Sequence, residues 1–289
     1  MRPRPTHLIS AIALAAGLAA CGDGGPSKSE FTTKADASCA AGNSAISAVA
    51  KPSNAPQVAT AAGTATSTID GQVSALRAMK TPGGDDKKRV DGIVAAIAEV
   101  SAPTKALQEA AGKTDDAGMA KAAGEMQAKA DAAATEAQAY GLAQCGTALK
   151  PAVANLFEGT KGVVKSGFVS KANSLCRDAG RKAGAVARPS TPTMAAAARY
   201  FDAILPVASK LVGDFKTIPV PPGDETLVSE MIASLDTVNA KIKDMSAAAK
   251  ANNPRLLGGL TEELGVADTA SNAKLDAYGL KACGSVGDF

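Results

Sequence analysis

Ala139-Tyr140-Gly141-Leu142-Ala143-Gln144-Cys145-Gly146 returns near the C-terminus as Ala277-Tyr278-Gly279-Leu280-Lys281-Ala282-Cys283-Gly284. Each copy closes a unit that opens on a second repeated stretch. The first opening is Phe31-Thr32-Thr33-Lys34-Ala35-Asp36-Ala37-Ser38-Cys39, and the second is Phe168-Val169-Ser170-Lys171-Ala172-Asn173-Ser174-Leu175-Cys176. The landmarks between them keep step. Pro189 follows Pro52 by 137 positions, Val228 follows Val90 by 138, and Pro221 follows Pro82 by 139. A register this steady marks an internal duplication, and 289 residues give each copy the length of a domain.

Within each copy the apolar residues recur with helical spacing. Val90, Ile93, Ile97, Val100, Thr104, Leu107 and Ala111 advance by three and four, as do Val228, Met231, Leu235, Val238, Ile242, Met245 and Ala249. Lys51-Pro52-Ser53, Thr81-Pro82-Gly83-Gly84 and Gly112-Lys113-Thr114-Asp115 punctuate the first copy. Asp85 and Asp224 stand where an N-cap is expected. Pro103 falls inside a helical pattern, where a kink is expected. Much of the apolar content is alanine, which loses no side-chain entropy in a helix. The pattern predicts an all-α chain of two tandem antiparallel four-helix bundles at 31–146 and 168–289. The connector at 147–167 carries Leu149, Val153, Leu156, Phe157, Val163 and Val164. That is too apolar for a free linker, so it is expected to be partly helical and packed on a bundle.

Five cysteines divide as one, two and two. Cys39, Cys145, Cys176 and Cys283 sit at matching repeat positions, and of their three possible pairings the repeat selects Cys39–Cys145 and Cys176–Cys283. In an antiparallel bundle the start of helix one and the end of helix four share one end. No Cys-x-x-Cys motif is present, so redox or metal use is not expected.

Residues 1–20 carry Arg2 and Arg4, then a short apolar run from Leu8 to Leu18, then Leu18-Ala19-Ala20 before Cys21. This segment resembles the signal and lipobox of bacterial lipoproteins. The resemblance implies cleavage before Cys21, a diacylglyceryl group on its thiol and anchoring by palmitate-type acyl chains, each buried CH₂ adding about 0.8 kcal/mol. Residues 21–30 read as a tether. The expected location is extracytoplasmic, held at the cell membrane by the lipid.

The Phe-x-x-Lys-Ala-x-x-x-Cys opening and Ala-Tyr-Gly-Leu-x-x-Cys-Gly closing also resemble exported, Ala-rich actinobacterial proteins of unknown function. Those commonly carry one such unit; this chain carries two. The resemblance implies an exported helical fold and no catalytic residue.

The only histidine is His7, inside the expected leader. Without it, His-based triads, zinc and haem sites and Glu-x-x-His di-iron centres are excluded, and neither metal nor other cofactor is expected. Net charge is +3 and falls by two, to +1, without Arg2 and Arg4. No basic stripe with aromatics suggests nucleic acid. Asp85-Asp86 and Glu262-Glu263 come nearest to carboxylate catalysis, but helix-face and capping roles explain them. Tyr140, Tyr278 and the unrepeated Tyr200 read as core-edge rings. The expected function is a non-enzymatic envelope lipoprotein that binds a protein, a cell-wall polymer or a lipid. The alternatives are a carrier of a small apolar ligand and a carboxylate-dependent envelope enzyme. For a carrier, the first unit is the expected host because its core positions are small. The second unit, with Phe201, Ile204 and Phe215, is the one expected to be more stable.

Overall fold

A computed structural model describes residues 25–146, 148–191 and 193–284. Every element among them is an α-helix: α1 (Lys28–Ser47), α2 (Ala55–Ala78), α3 (Gly84–Gly112), α4 (Asp116–Tyr140), a single turn α5 (Ala143–Gly146), α6 (Leu149–Gly184), α7 (Met194–Phe215), α8 (Glu225–Lys250), α9 (Pro254–Tyr278) and a second single turn α10 (Lys281–Gly284). Among the described residues, no helix is long and apolar enough to cross a membrane. The leader and Cys21 lie outside the described residues.

Local chemistry sets the boundaries. Ser27 and Glu30 form a reciprocal capping box at the start of α1. Asn54, Asp115, Thr193 and Asn253 cap α2, α4, α7 and α9 through their side chains. Asp85 is no cap: α3 starts one residue earlier, from Gly83, and the Asp85 carboxylate sits exposed in the first turn, 3.8 Å from Lys88. There it complements the helix dipole. α3 continues through Pro103, which is buried. Gly141 and Gly279 end α4 and α9 with φ of 100° and 101°. Nothing lies within 4 Å of a Cβ built on Gly141, so backbone conformation and not close helix approach selects glycine there.

α6 is the spine. It runs unbroken for 36 residues, about 54 Å at 1.5 Å per residue. The connector and the opening of the second unit are therefore one helix. Its first half buries Leu149, Ala152, Val153, Leu156, Thr160 and Val164 against the first unit. It packs along α4, α1 and α2. α4 buries Ala123, Ala130, Ala133 and Ala134, and side chains this small let α6 lie close. Gly159 meets Pro52: a Cβ there would stand 2.3 Å from the proline ring.

This arrangement differs from a simple four-helix closure. The backbones of α1 and α4 lie apart along most of their length, with α6 packed against both. The result is one continuous core through α1–α6. The second unit has no counterpart to that inserted helix among the described residues. The backbones of its α6 half and α9 also lie apart, bridged where Phe168 meets Tyr278. Its core is divided into a group around Phe168, Phe215 and Tyr278, a group around Ile204 and Ile242, and a group around Met245 and Leu260. Phe201 is only partly buried. Of the three larger side chains behind the expected stability order, Ile204 and Phe215 are buried and Phe201 is not fully so.

Candidate functional site

Both predicted disulfides are formed, Cys39–Cys145 and Cys176–Cys283. Each short turn that carries the second cysteine is tied to the first helix of its unit. Asp36 accepts hydrogen bonds from the backbone N–H groups of Ala143, Gln144 and Cys145 at 3.1, 2.8 and 3.3 Å. Asn173, at the same repeat position, accepts from the Ala282 N–H at 2.8 Å and donates to the Gly279 carbonyl at 3.3 Å.

The same end of each unit holds a tyrosine cluster that the stripe pattern alone does not show. Phe31 meets the Tyr140 ring edge-on at 6.5 Å, with Lys28 Nζ 4.3 Å from the ring centre. Phe168 meets Tyr278 at 5.7 Å, with Lys165 Nζ 4.1 Å from that ring. The signal was present in the sequence as a lysine three residues before each phenylalanine. The hydroxyls differ. Tyr278 donates to Asp224 at 2.8 Å, and Lys161 and Lys165 lie 3.1 and 3.6 Å from the same carboxylate. Asp224, expected as a cap, holds the N-cap position of α8 without a capping hydrogen bond, because its carboxylate is engaged here. The Tyr140 hydroxyl is buried without a hydrogen-bond partner. Asp86, the repeat counterpart of Asp224, acts on it only from nearby.

The titrations follow. Burial first, then the Asp224 carboxylate, push the Tyr278 phenol far above its usual range. Burial, then Asp86, raise that of Tyr140. Burial opposes the charge on Asp224, but the Tyr278 hydroxyl and Lys161 outweigh it and hold the carboxyl below its ordinary value. The contribution of Tyr278 to stability is complete below about pH 10 and is lost as pH rises through its folded value. That of Asp224 is present above about pH 4 and is lost as pH falls through its folded value. Tyr278→Phe is expected to cost about 1.5–3 kcal/mol, since it removes a hydrogen bond to a charged carboxylate. Tyr140→Phe is expected to change stability by less than about 0.5 kcal/mol or to raise it, since its hydroxyl is unpaired. Paired urea melts check this contrast, and equal losses would contradict it.

The remaining candidate is a groove. In the second unit a cavity of about 60 Å³ is lined by residues of α6, α7, α8 and α9. Its floor is apolar: Ile204, Leu211, Val212, Leu235, Val238 and Ile242, with the Cys176–Cys283 bridge at one end. The lining also includes polar side chains: half-buried Asn239, Asp268 and Asn272, and buried Ser271. Asn272 Nδ2 donates to Asp268 Oδ2 at 3.0 Å, and the Ser271 hydroxyl pairs with that of Ser234 at 3.0 Å.

The repeat supplies an internal control. The counterparts of Leu235, Val238 and Ala208 are Ile97, Val100 and Ile69, which are 2%, 0% and 0% exposed. Leu235, Val238 and Ala208 are only half-buried. In the first unit the corresponding gap is occupied by α6. The second unit thus has an apolar cavity, and the first unit has an open surface pocket lined by Arg89, Gly92, Ile93, Glu136, Ala139 and Tyr140. The gap between α6 and α9 has no helix in it among the described residues.

The carboxylates considered for catalysis do not converge. Asp85 and Asp86 begin α3; Glu262 and Glu263 lie exposed on α9, where Glu263 pairs with Lys241. Among the described residues, no group of three His, Cys, Asp or Glu side chains could hold a metal ion.

No family model matches the chain, and neither a curated protein nor a solved structure matches it significantly. Among the described residues, fold and bridges together define an all-α, doubly disulfide-tied protein.

Proposed function

We propose that this protein is a non-enzymatic binding module of the cell envelope, held at the outer face of the membrane by lipid on Cys21. On this reading the two units have diverged in role. The first is a closed scaffold, sealed by α6, and the second is the receptor, with its groove between α6 and α9. The observation that supports it is the internal control: positions sealed in one copy stand open over a cavity in the other. Two disulfides suit an oxidising, extracytoplasmic setting.

Native mass spectrometry of the protein extracted from its own membranes tests this reading. The expected spectrum shows the acyl mass, the loss of four hydrogens for two bridges, and a retained small molecule. The retained mass is expected to vanish in Ala183→Ile, which puts into the groove wall the residue that its counterpart Ile46 already provides. A non-acylated chain would remove the anchor. A retained mass indifferent to Ala183→Ile would remove the groove.

A further inference from the structure

We infer that the α2–α3 turn of the first unit is a membrane-contact face, its basic side chains resting on anionic phospholipid headgroups while α6 carries the second unit away from the bilayer. The inference rests on the lipid-anchored reading above and adds a surface and an orientation to it.

Covalent geometry sets the orientation. Gly25 packs on the α2–α3 turn so closely that a Cβ built on it would stand 2.3 Å from the Thr81 carbonyl oxygen. Gly25 follows Cys21 by four residues, a reach of about 14 Å at full extension. A lipid on Cys21 therefore keeps this turn beside the headgroups. The long axis of the molecule points the other way. α1 starts next to the turn, and α6 runs in the same direction as α1. Leu149 comes just after the Cys39–Cys145 bridge, and Gly159 meets Pro52 beyond the end of α1. α1 advances about 16 Å from Lys28 to Cys39, and α6 adds about 54 Å before Gly184. The α6–α7 loop, with exposed Ser190, therefore stands at the opposite end from the turn.

Charge identifies what the turn meets, and the repeat again supplies a control. From Arg77 to Asp91 the first unit carries Arg77, Lys80, Lys87, Lys88 and Arg89, all exposed, against Asp85, Asp86 and Asp91. Lys28 and Glu30, at the start of α1, cancel. The matching stretch of the second unit, Lys216 to Ser229, carries one basic residue against Asp224 and Glu225. There Lys87-Lys88-Arg89 become Glu225-Thr226-Leu227, and α8 forms without them. The fold of the turn does not require the basic run, which is confined to the copy tied to Cys21. Lys87 and Lys88 pair with Asp91 and Asp85 at 2.6 and 3.8 Å, whereas Arg77, Lys80 and Arg89 have no ion pair among the described residues. Such cations suit headgroup phosphates, and a tether this short holds them near the range of roughly 8–10 Å over which a charged surface acts in physiological salt. Pro82 is buried, and no large apolar side chain stands exposed on the turn. The contact is therefore with headgroups and not with acyl chains.

The test uses the acylated full chain in phosphatidylglycerol–phosphatidylcholine vesicles that carry a nitroxide on some headgroups. A fluorophore is placed on Gly83→Cys or on Ser190→Cys. Gly83 has nothing within 4 Å of a built Cβ, and Ser190 is exposed, so both positions accept a label. Quenching is expected to be about threefold or more stronger at Gly83 than at Ser190. At Gly83 it is expected to fall about twofold or more in pure phosphatidylcholine, and equally in the combined Lys87→Gln, Lys88→Gln and Arg89→Gln variant. Equal quenching at the two positions, or stronger quenching at Ser190, would overturn the orientation. Quenching at Gly83 that ignores both the neutral vesicles and the triple variant would overturn the headgroup contact. Either failure leaves the anchor in place. A chain without acyl mass that washes off the vesicles would instead overturn the anchored reading itself.

Discussion

Replacing Cys39 and Cys145 together by alanine is expected to lower the free energy of unfolding by about 4–5 kcal/mol, and the same change at Cys176 and Cys283 by a similar amount. The bridges close loops of 106 and 107 residues. In the chain-entropy description, the loss on cutting a loop that long comes from the unfolded state, which regains the freedom the bridge denied it. The two losses are equal on that account, but their consequences are not. In the first unit the Asp36 and Asn43 hydrogen bonds and the inserted half of α6 still hold the α5 turn. In the second unit the bridge stands at one end of the groove, and the core beside it is divided. The second double variant is therefore expected to unfold first and to lose the groove. Urea unfolding followed by circular dichroism measures both. A loss below about 1 kcal/mol in either variant would mean that the unfolded chain already keeps those ends together.

The repeated motifs make most of the fold legible in the sequence. Stripes at three and four spacing place the helices, punctuation by proline and glycine places their ends, and paired motifs place both bridges. What is less legible has a common cause: side chains whose partner lies far away in the chain. Asp224 reads as a cap until Tyr278 and Lys161 are brought to it by α9 and α6. Asp85 reads as a cap because the sequence does not say that Gly84 takes a φ of 63° and starts the helix early. The groove is the extreme case. No residue in it is unusual by itself, and Leu211 or Asp268 means little without its counterpart. The contrast becomes visible only when α6 is seen filling one gap and not the other.

Substitutions at Gly162 are expected to act in opposite directions. Gly162 lies in the middle of α6, exposed, with nothing within 4 Å of a built Cβ. Alanine there needs no repacking and restricts the unfolded chain, so Gly162→Ala is expected to add about 0.5–1 kcal/mol. Proline at the same place removes a backbone donor and collides with the carbonyl one turn earlier, a cost of about 3 kcal/mol or more. The position matters because α6 is the shared element. Before it, Leu156 and Val153 complete the first core; after it, Phe168 and Cys176 begin the second. Two ion pairs cross the junction, Lys171 with Asp116 at 2.6 Å and Lys161 with Asp224 at 3.1 Å. If that helix couples the units, scanning calorimetry shows one transition for the native chain and for Gly162→Ala. Gly162→Pro then splits it in two, the earlier belonging to the second unit with its divided core. A single, unshifted transition in Gly162→Pro would show that the units are held together by packing around α6 and not by its continuity.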